Sequence, residues 1–197
     1  MRVATITAAA VASLFLLAGC GPSTQQWSTQ SIRGAMPDLA FRLTDDRGRP
    51  VTGAQFHGDV TLLFFGYTHC PDVCPATLAI LDAARQKLGE EGKRVKILFV
   101  SVDPKRDGPK ELADYTQAFG DGVVGLTGTQ AELQALTKRY RVAFRYGDPD
   151  KNGNYLVYHS AAIFAFDPQG HAQLLMSYTN GLPAIEHDLQ QLVAANS

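Results

Sequence analysis

Hydrophobic and polar positions along this chain follow two periods, and the switches between them lay out a fold. Val60-Thr61-Leu62-Leu63-Phe64-Phe65 is a continuous apolar run of strand length. Such a run needs cover on both faces, which predicts a central strand. From Ala76 to Leu88 the period lengthens: Leu78, Leu81 and Leu88 share one face, with Asp82, Arg85 and Lys87 elsewhere, as in an amphipathic helix. Val95 to Val102 is a second buried strand, so strand, helix and strand make a βαβ unit expected to be parallel and right-handed. Leu112, Tyr115 and Phe119 recur at helical spacing, and Val123-Val124-Gly125-Leu126 reads as a short strand. Thr129 and Glu132 form a capping box for a third helix bearing Leu133, Leu136 and Tyr140. Ahead of these, Ala40 to Val51 reads as a hairpin turning at Asp45-Asp46-Arg47-Gly48. After them, Arg141 to Tyr146 is extended and Gly147 to Gly153 is a polar turn. Tyr155 to Phe166 and Ala172 to Tyr178 flank Asp167-Pro168-Gln169-Gly170 as the arms of a hairpin, and Leu182 to Val193 makes a closing helix. The pattern predicts an α/β protein with a thioredoxin-like fold: a central mixed sheet flanked by helices, with an N-terminal hairpin. Phe64, Phe65 and Phe99 are expected in its core.

With 197 residues, 45% of them hydrophobic, the chain can bury one good core, so one domain is expected. A net charge of -1, with no block of like charges, removes the signature of a nucleic-acid-binding arm. The N-terminus stands apart. Arg2 is followed by an apolar run from Ala8 to Ala18 broken only by Ser13. That run is too short for a spanning helix, which needs about 20 apolar residues. It closes with Leu17-Ala18-Gly19-Cys20, which resembles the bacterial lipobox. The resemblance implies a signal peptide over residues 1–19, a diacylglycerol on Cys20, a lipidated tether over 20–36 that begins Gly21-Pro22-Ser23, and a domain over 37–197. It also implies a location in the bacterial cell envelope, anchored by lipid to a membrane with the domain in the periplasm. A plain secretory signal cut near a cysteine is the competing reading. Lipid is preferred because it accounts for an otherwise unpaired cysteine in an exported protein.

Cys70 and Cys74 are then left, four positions apart in an oxidising compartment. They fall where a buried strand ends and a helix begins. Pro75 disfavours a helical Cys74, so either Cys74 caps a helix that starts at Pro75, or Pro71 starts it one turn earlier. Both options put the sulfurs near a helix N-terminus, whose partial positive charge favours thiolates. The spacing is one residue longer than the usual C-x-x-C redox loop. On a helix it separates the Cβ atoms by about 5–6 Å, whereas a disulfide prefers about 3.5–4.5 Å. A metal ion fits between such sulfurs without forcing them together. Thiolates select Cu(I), and an added imidazole suits Cu(II) as well. A closed structural zinc site normally wants four ligands. On the residues alone, a locally distorted structural disulfide stands as an equal alternative.

Gly66-Tyr67-Thr68-His69-Cys70-Pro71-Asp72-Val73-Cys74-Pro75 resembles the copper motif of the Sco/SenC family. Val102-Asp103-Pro104-Lys105-Arg106-Asp107 resembles that family's D-P-x-R-D element, and Tyr155-Leu156-Val157-Tyr158-His159-Ser160 its later histidine segment. The likeness runs from about Pro37 to Leu192. It implies one copper ion per chain, Cu(I) or Cu(II), held by the thiolates of Cys70 and Cys74 and the imidazole of His159. Asp103, Arg106 and Asp107 become candidates for supporting those ligands or docking a partner, although Asp107 could simply cap the next helix. Tyr158 stands where the family often carries an acid, a group that could orient the imidazole or compensate copper's charge. His69 is expected to point away from the site, and His57, His171 and His187 fall in loop, turn and surface-helix settings.

The implied role is a metallochaperone that delivers copper to the binuclear copper centre of cytochrome c oxidase. Its partners would be the oxidase subunit carrying that centre, and other periplasmic copper carriers or thiol reductases. The alternative is a thiol–disulfide reductase acting through Cys70 and Cys74 to keep the oxidase's own copper-site cysteines reduced. Peroxide reduction, a third chemistry of this fold, fits poorly, because it would want a threonine three residues before the reactive cysteine and Thr68 is two before Cys70.

Overall fold

The computed structural model describes residues 26–195. In chain order these form β1 (Gln30–Ser31), β2 (Arg42–Asp45), β3 (Pro50–Thr52), β4 (Val60–Gly66), α1 (Val73–Lys87), β5 (Val95–Ser101) and α2 (Pro109–Thr116). There follow β6 (Val123–Thr127), α3 (Gln130–Arg139), β7 (Phe144–Tyr146), β8 (Val157–His159), β9 (Ile163–Phe166), β10 (Ala172–Met176) and α4 (Leu182–Ala194). Eight strands make one mixed sheet in the order β1-β10-β9-β4-β5-β6-β2-β3, and β7 with β8 makes a separate ribbon. The signal segment, residues 1–19, and the proposed lipid site Cys20 lie outside the described residues.

The apolar run at Val60 becomes β4 in mid-sheet, with all seven residues buried. β5 pairs with it in parallel, Phe64 opposite Phe99 and Gly66 opposite Ser101, while β9 pairs antiparallel on its other side. Side chains alternate across β4, so its two faces serve different layers. Phe64 approaches Phe99, whose ring meets Tyr115 of α2. Phe65 meets Tyr140, the residue that ends α3. Helices α1 and α4 pack on each other, and α2 packs on β6. Phe64, Phe65 and Phe99 are fully buried, as expected of core residues.

Two elements differ from the pattern read in the sequence. Helix α1 begins at Val73, between the two expected starts, and takes Cys74 and Pro75 into its first turn. A proline is tolerated there because the first amides of a helix have no intrahelical acceptor. Asp72, the N-cap residue, offers no side-chain hydrogen bond; the Cys70 sulfur accepts one from the Cys74 amide instead. The second difference is that Tyr155 to Phe166 is not one strand. Val157–His159 pairs with β7, the chain then leaves that ribbon, and Ile163–Phe166 joins the main sheet beside β4. The amide of Ser160 bonds to the Ala143 carbonyl, which closes the ribbon just before this break.

Part of the segment assigned to the tether packs on the domain. Gln30–Ser31 pairs with β10 as an edge strand. Beside it, the buried carboxylate of Asp188 on α4 accepts from the amides of Ser28 and Thr29 and from the Thr29 hydroxyl. No helix among the described residues is long and apolar enough to cross a membrane.

Candidate metal centre

Gly66 ends β4, and the loop Tyr67 to Asp72 leads into α1 at the end of the sheet where β4 and β5 finish. The loop is held from below. The Val102 amide donates to the Gly66 carbonyl, and the Cys70 amide bonds to the Tyr67 carbonyl. Cys74 is fully buried, whereas Cys70 is half-buried; both are free thiols. A Cβ on Gly66 would lie 2.9 Å from the Cys74 sulfur and 2.5 Å from the Phe99 ring. The absent side chain is what lets the sulfur come down onto the strand.

His159 arrives at the end of β8, and its Nε2 lies 3.4 Å from the Cys74 sulfur. Its Nδ1 faces the Ser160 carbonyl at 3.0 Å. A carbonyl only accepts, so Nδ1 carries the proton and the Nε2 lone pair is free. The backbone thus orients this ring. The edges and faces of Phe64 and Tyr67 pack it from two sides, at centroid distances of 6.0 and 6.1 Å. Tyr158, which stands in place of an acid, turns to solvent with the Arg145 guanidinium 4.0 Å from the centre of its ring.

One donor atom each from Cys70, Cys74 and His159 lies within 4.8 Å of the other two. Bonds of about 2.0–2.3 Å, as a first-row metal forms to nitrogen and sulfur, span donors up to about 4.6 Å apart. Only two donors can sit at that linear limit; three around one ion stand about 3.5–4 Å apart. An ion therefore closes this set with shifts of about 1 Å or less. Two sulfurs and a nitrogen are a soft donor set that suits copper in either oxidation state. Among the described residues no other histidine, cysteine or acid joins this group. The thiols share one proton unevenly. A hydrogen bond from the Cys74 thiol, helped by the amides of Asp72 and Cys74, outweighs burial and draws Cys70 down to about 3. The same partnership, together with burial, pushes Cys74 up. Cys70 is the ready-made thiolate; Cys74 must lose a proton when it takes a metal.

Asp103, Arg106 and Asp107 lie just beyond β5, and none touches the three donors directly. Asp107 does not cap α2, whose N-cap is Gly108. It is fully buried and accepts from the Thr68 amide at 2.9 Å, the Thr68 hydroxyl at 2.6 Å and the Ser101 hydroxyl at 2.6 Å. Asp103 accepts from the Tyr155 hydroxyl at 2.9 Å and from Arg106 Nε at 2.5 Å. The Arg106 guanidinium lies 3.7 Å from the centre of the Tyr155 ring, and its buried Nη2 has no hydrogen-bond partner, so the ring face takes up part of its charge. One loop thereby holds both the cysteine segment, through Thr68, and the histidine arm, through Tyr155. Sequence reasoning missed Gly66, Tyr155 and the Ser160 carbonyl. Of these only Gly66, a glycine closing an apolar strand, carried a signal.

A thioredoxin-like sheet that carries two thiols and an imidazole at the end of its central strand defines a class of soft-metal-binding α/β proteins. The chain belongs to the SCO1/SenC family, whose model matches residues 30–194. The mitochondrial SCO2 homolog of Bos taurus is 40% identical over 149 residues, which are 74% of this chain and 56% of that protein. This chain thus spans little more than half the length of that curated relative. Bradyrhizobium japonicum ScoI, solved with copper bound, superposes with a TM-score of 0.71 at 35% identity, covering 78% of this chain and 98% of that one. A SCO1/SenC family lipoprotein from Bacillus anthracis str. Ames superposes with a TM-score of 0.66 at 26% identity, covering 79% and 94%.

Proposed function

We propose that this protein is a copper metallochaperone of the cell envelope. It carries one copper ion on Cys70, Cys74 and His159 and delivers it for assembly of the binuclear copper centre of cytochrome c oxidase. The observation that carries this reading is the convergence of the His159 imidazole on two unbridged cysteine sulfurs. Copper is cargo here, so the site must release as well as hold. Three soft donors bind it firmly, while a half-buried Cys70 leaves one side of the ion open to an incoming ligand. Thiol–disulfide exchange is the less favoured reading, since it requires only the two sulfurs, whereas metal binding uses all three converging donors. The lipobox-like Leu17-Ala18-Gly19-Cys20 supports a lipid anchor on Cys20, with the domain on the periplasmic side.

The test is copper titration with electron paramagnetic resonance. The unmutated protein takes up one equivalent, and Cys70→Ser or Cys74→Ser abolishes tight binding. His159→Ala changes the Cu(II) spectrum and weakens Cu(II) binding by about 10-fold or more, and Cu(I) much less, because two thiolates still serve the softer ion. Full-affinity Cu(II) binding by the double cysteine variant would refute the assignment.

A further inference from the structure

His69 lies next to Cys70 in the chain but outside the set of converging donors. Its environment is nevertheless that of a metal ligand. The Thr68 hydroxyl gives its single proton to Asp107 Oδ1 at 2.6 Å, so toward His69 Nδ1, 3.0 Å away, that oxygen can only accept. Nδ1 therefore carries the ring proton, and Nε2 keeps an unshared lone pair on a side chain that is 51% exposed. Asp107 behind it is fully buried, fixed by Ser101 and the Thr68 amide, and lies 3.6 Å from Nδ1 itself. Here the Thr68 hydroxyl, itself held by the carboxylate, fixes the imidazole by one nitrogen and leaves the other bare, a relayed form of the support given to histidines at metal sites. His159 shows the same tautomer logic inside the site, with a backbone carbonyl in place of the carboxylate chain.

We propose that His69 is a transient copper ligand at the outer mouth of the centre, used during loading and release. The idea rests on the Cys70–Cys74–His159 assignment and extends it. An arriving ion first takes the exposed His69 Nε2 and the Cys70 thiolate. Cys74 then gives its proton to solvent and binds, His159 closes the set, and the bond to His69 breaks. Copper keeps its oxidation state throughout. Release follows the same steps in reverse, with the ion presented on its two outermost donors to the acceptor.

Stopped-flow mixing of the copper-free protein with the Cu(II)–glycine complex, followed by copper–thiolate absorption, tests this. His69→Ala should lower the loading rate constant about tenfold, at the lower end of what loss of a metal-site supporting group costs. It should lower release by the same factor, since the resting donors are unchanged, and leave the resting spin spectrum as it was. Thr68→Val should also slow loading, and in the copper-free protein the ring nitrogen shifts of 15N-labelled His69 should lose their Nδ1–H signature. His171→Ala, which removes an exposed histidine at the far end of the sheet, should leave the rate alone. Equal loading by His69→Ala and the unmutated protein overturns the inference, as does a changed resting spectrum. If the unmutated protein takes up no copper, the three-ligand assignment falls and this inference falls with it.

Discussion

Gly66 shows how much one missing side chain does. The β4 strand could end on any small residue so far as its own backbone is concerned. The space above it, however, is filled by the Phe99 ring and the Cys74 sulfur. Phe99 is itself fully buried and pressed between Phe64 and Tyr115, so it has little room to retreat. An added methyl must therefore move the sulfur, the ring or the strand. Gly66→Ala is expected to cost about 1–3 kcal/mol of stability, as overpacking does, and to weaken copper binding through the displaced Cys74. Chemical denaturation and copper titration measure the two effects separately. An alanine variant with unchanged stability and an unchanged copper spectrum would mean that the sulfur is free to move. His159 makes a parallel case: the residue type supplies the lone pair, but Ser160 decides which nitrogen bears it.

Among the elements, the β2–β3 hairpin is stabilised from inside its turn. The buried Asp45 carboxylate accepts from the amides of Arg47 and Arg49 and from the Arg49 guanidinium, while Gly48 supplies the left-handed residue that the turn requires. Burial raises the Asp45 pKa, but these bonds outweigh it and hold the group below 3.8. A carboxyl depressed in the folded state stabilises above its unfolded pKa, and that contribution fades as pH falls through the folded value. Asp45→Asn should lower unfolding free energy by about 1.5–3 kcal/mol near pH 7. The deficit should shrink below about pH 4, and a deficit just as wide at lower pH would take the charge out of the explanation. This hairpin, β4, β5 and the capping box of α3 were all legible, because apolar period and turn chemistry are local properties. The break after His159 was not. Tyr155 to Phe166 has strand character throughout, and only tertiary pairing assigns one half to β7 and the other to β4. The start of α1 was ambiguous for a similar reason: its cap is the Cys70 sulfur, an acceptor that no propensity scale anticipates. At the site, the cysteines and His159 were legible through their motifs. What holds them depends on contacts across the fold, with Thr68 and Asp107 separated by 39 positions and Tyr155 and Asp103 by 52.

Across the whole molecule, the centre is assembled from two segments 85 positions apart that share no strand pairing. The cysteines ride on the β4–α1 junction inside the main sheet, and the histidine rides on a small ribbon outside it. Two parts of the fold that meet at one site need a common reference, and the loop after β5 provides it. Asp107 fixes the cysteine side through Thr68, and Asp103 with Arg106 fixes the ribbon through Tyr155. Tyr146 adds a bond from the ribbon to the Val102 carbonyl at 2.8 Å. The two oxidation states of copper should feel this arrangement differently. Cu(I) is satisfied by the thiolates, which remain in place if the ribbon loosens; Cu(II) leans on the imidazole, which does not. Tyr155→Phe deletes the hydroxyl that reaches Asp103 and keeps the ring under Arg106, so the fold survives while the arm loses one tie. Losing a hydrogen bond to a charged acceptor costs about 1.5–3 kcal/mol when both ends are buried. This bond is only partly buried, and a loss near 1.4 kcal/mol is about tenfold in affinity. Cu(II) affinity is expected to fall by about that factor and Cu(I) affinity to stay within about twofold, each measured by competition with a chelator of known strength. An equal loss for both ions would place Tyr155 in general stability, and no loss for either would mean that the ribbon needs no tie to the β5 loop.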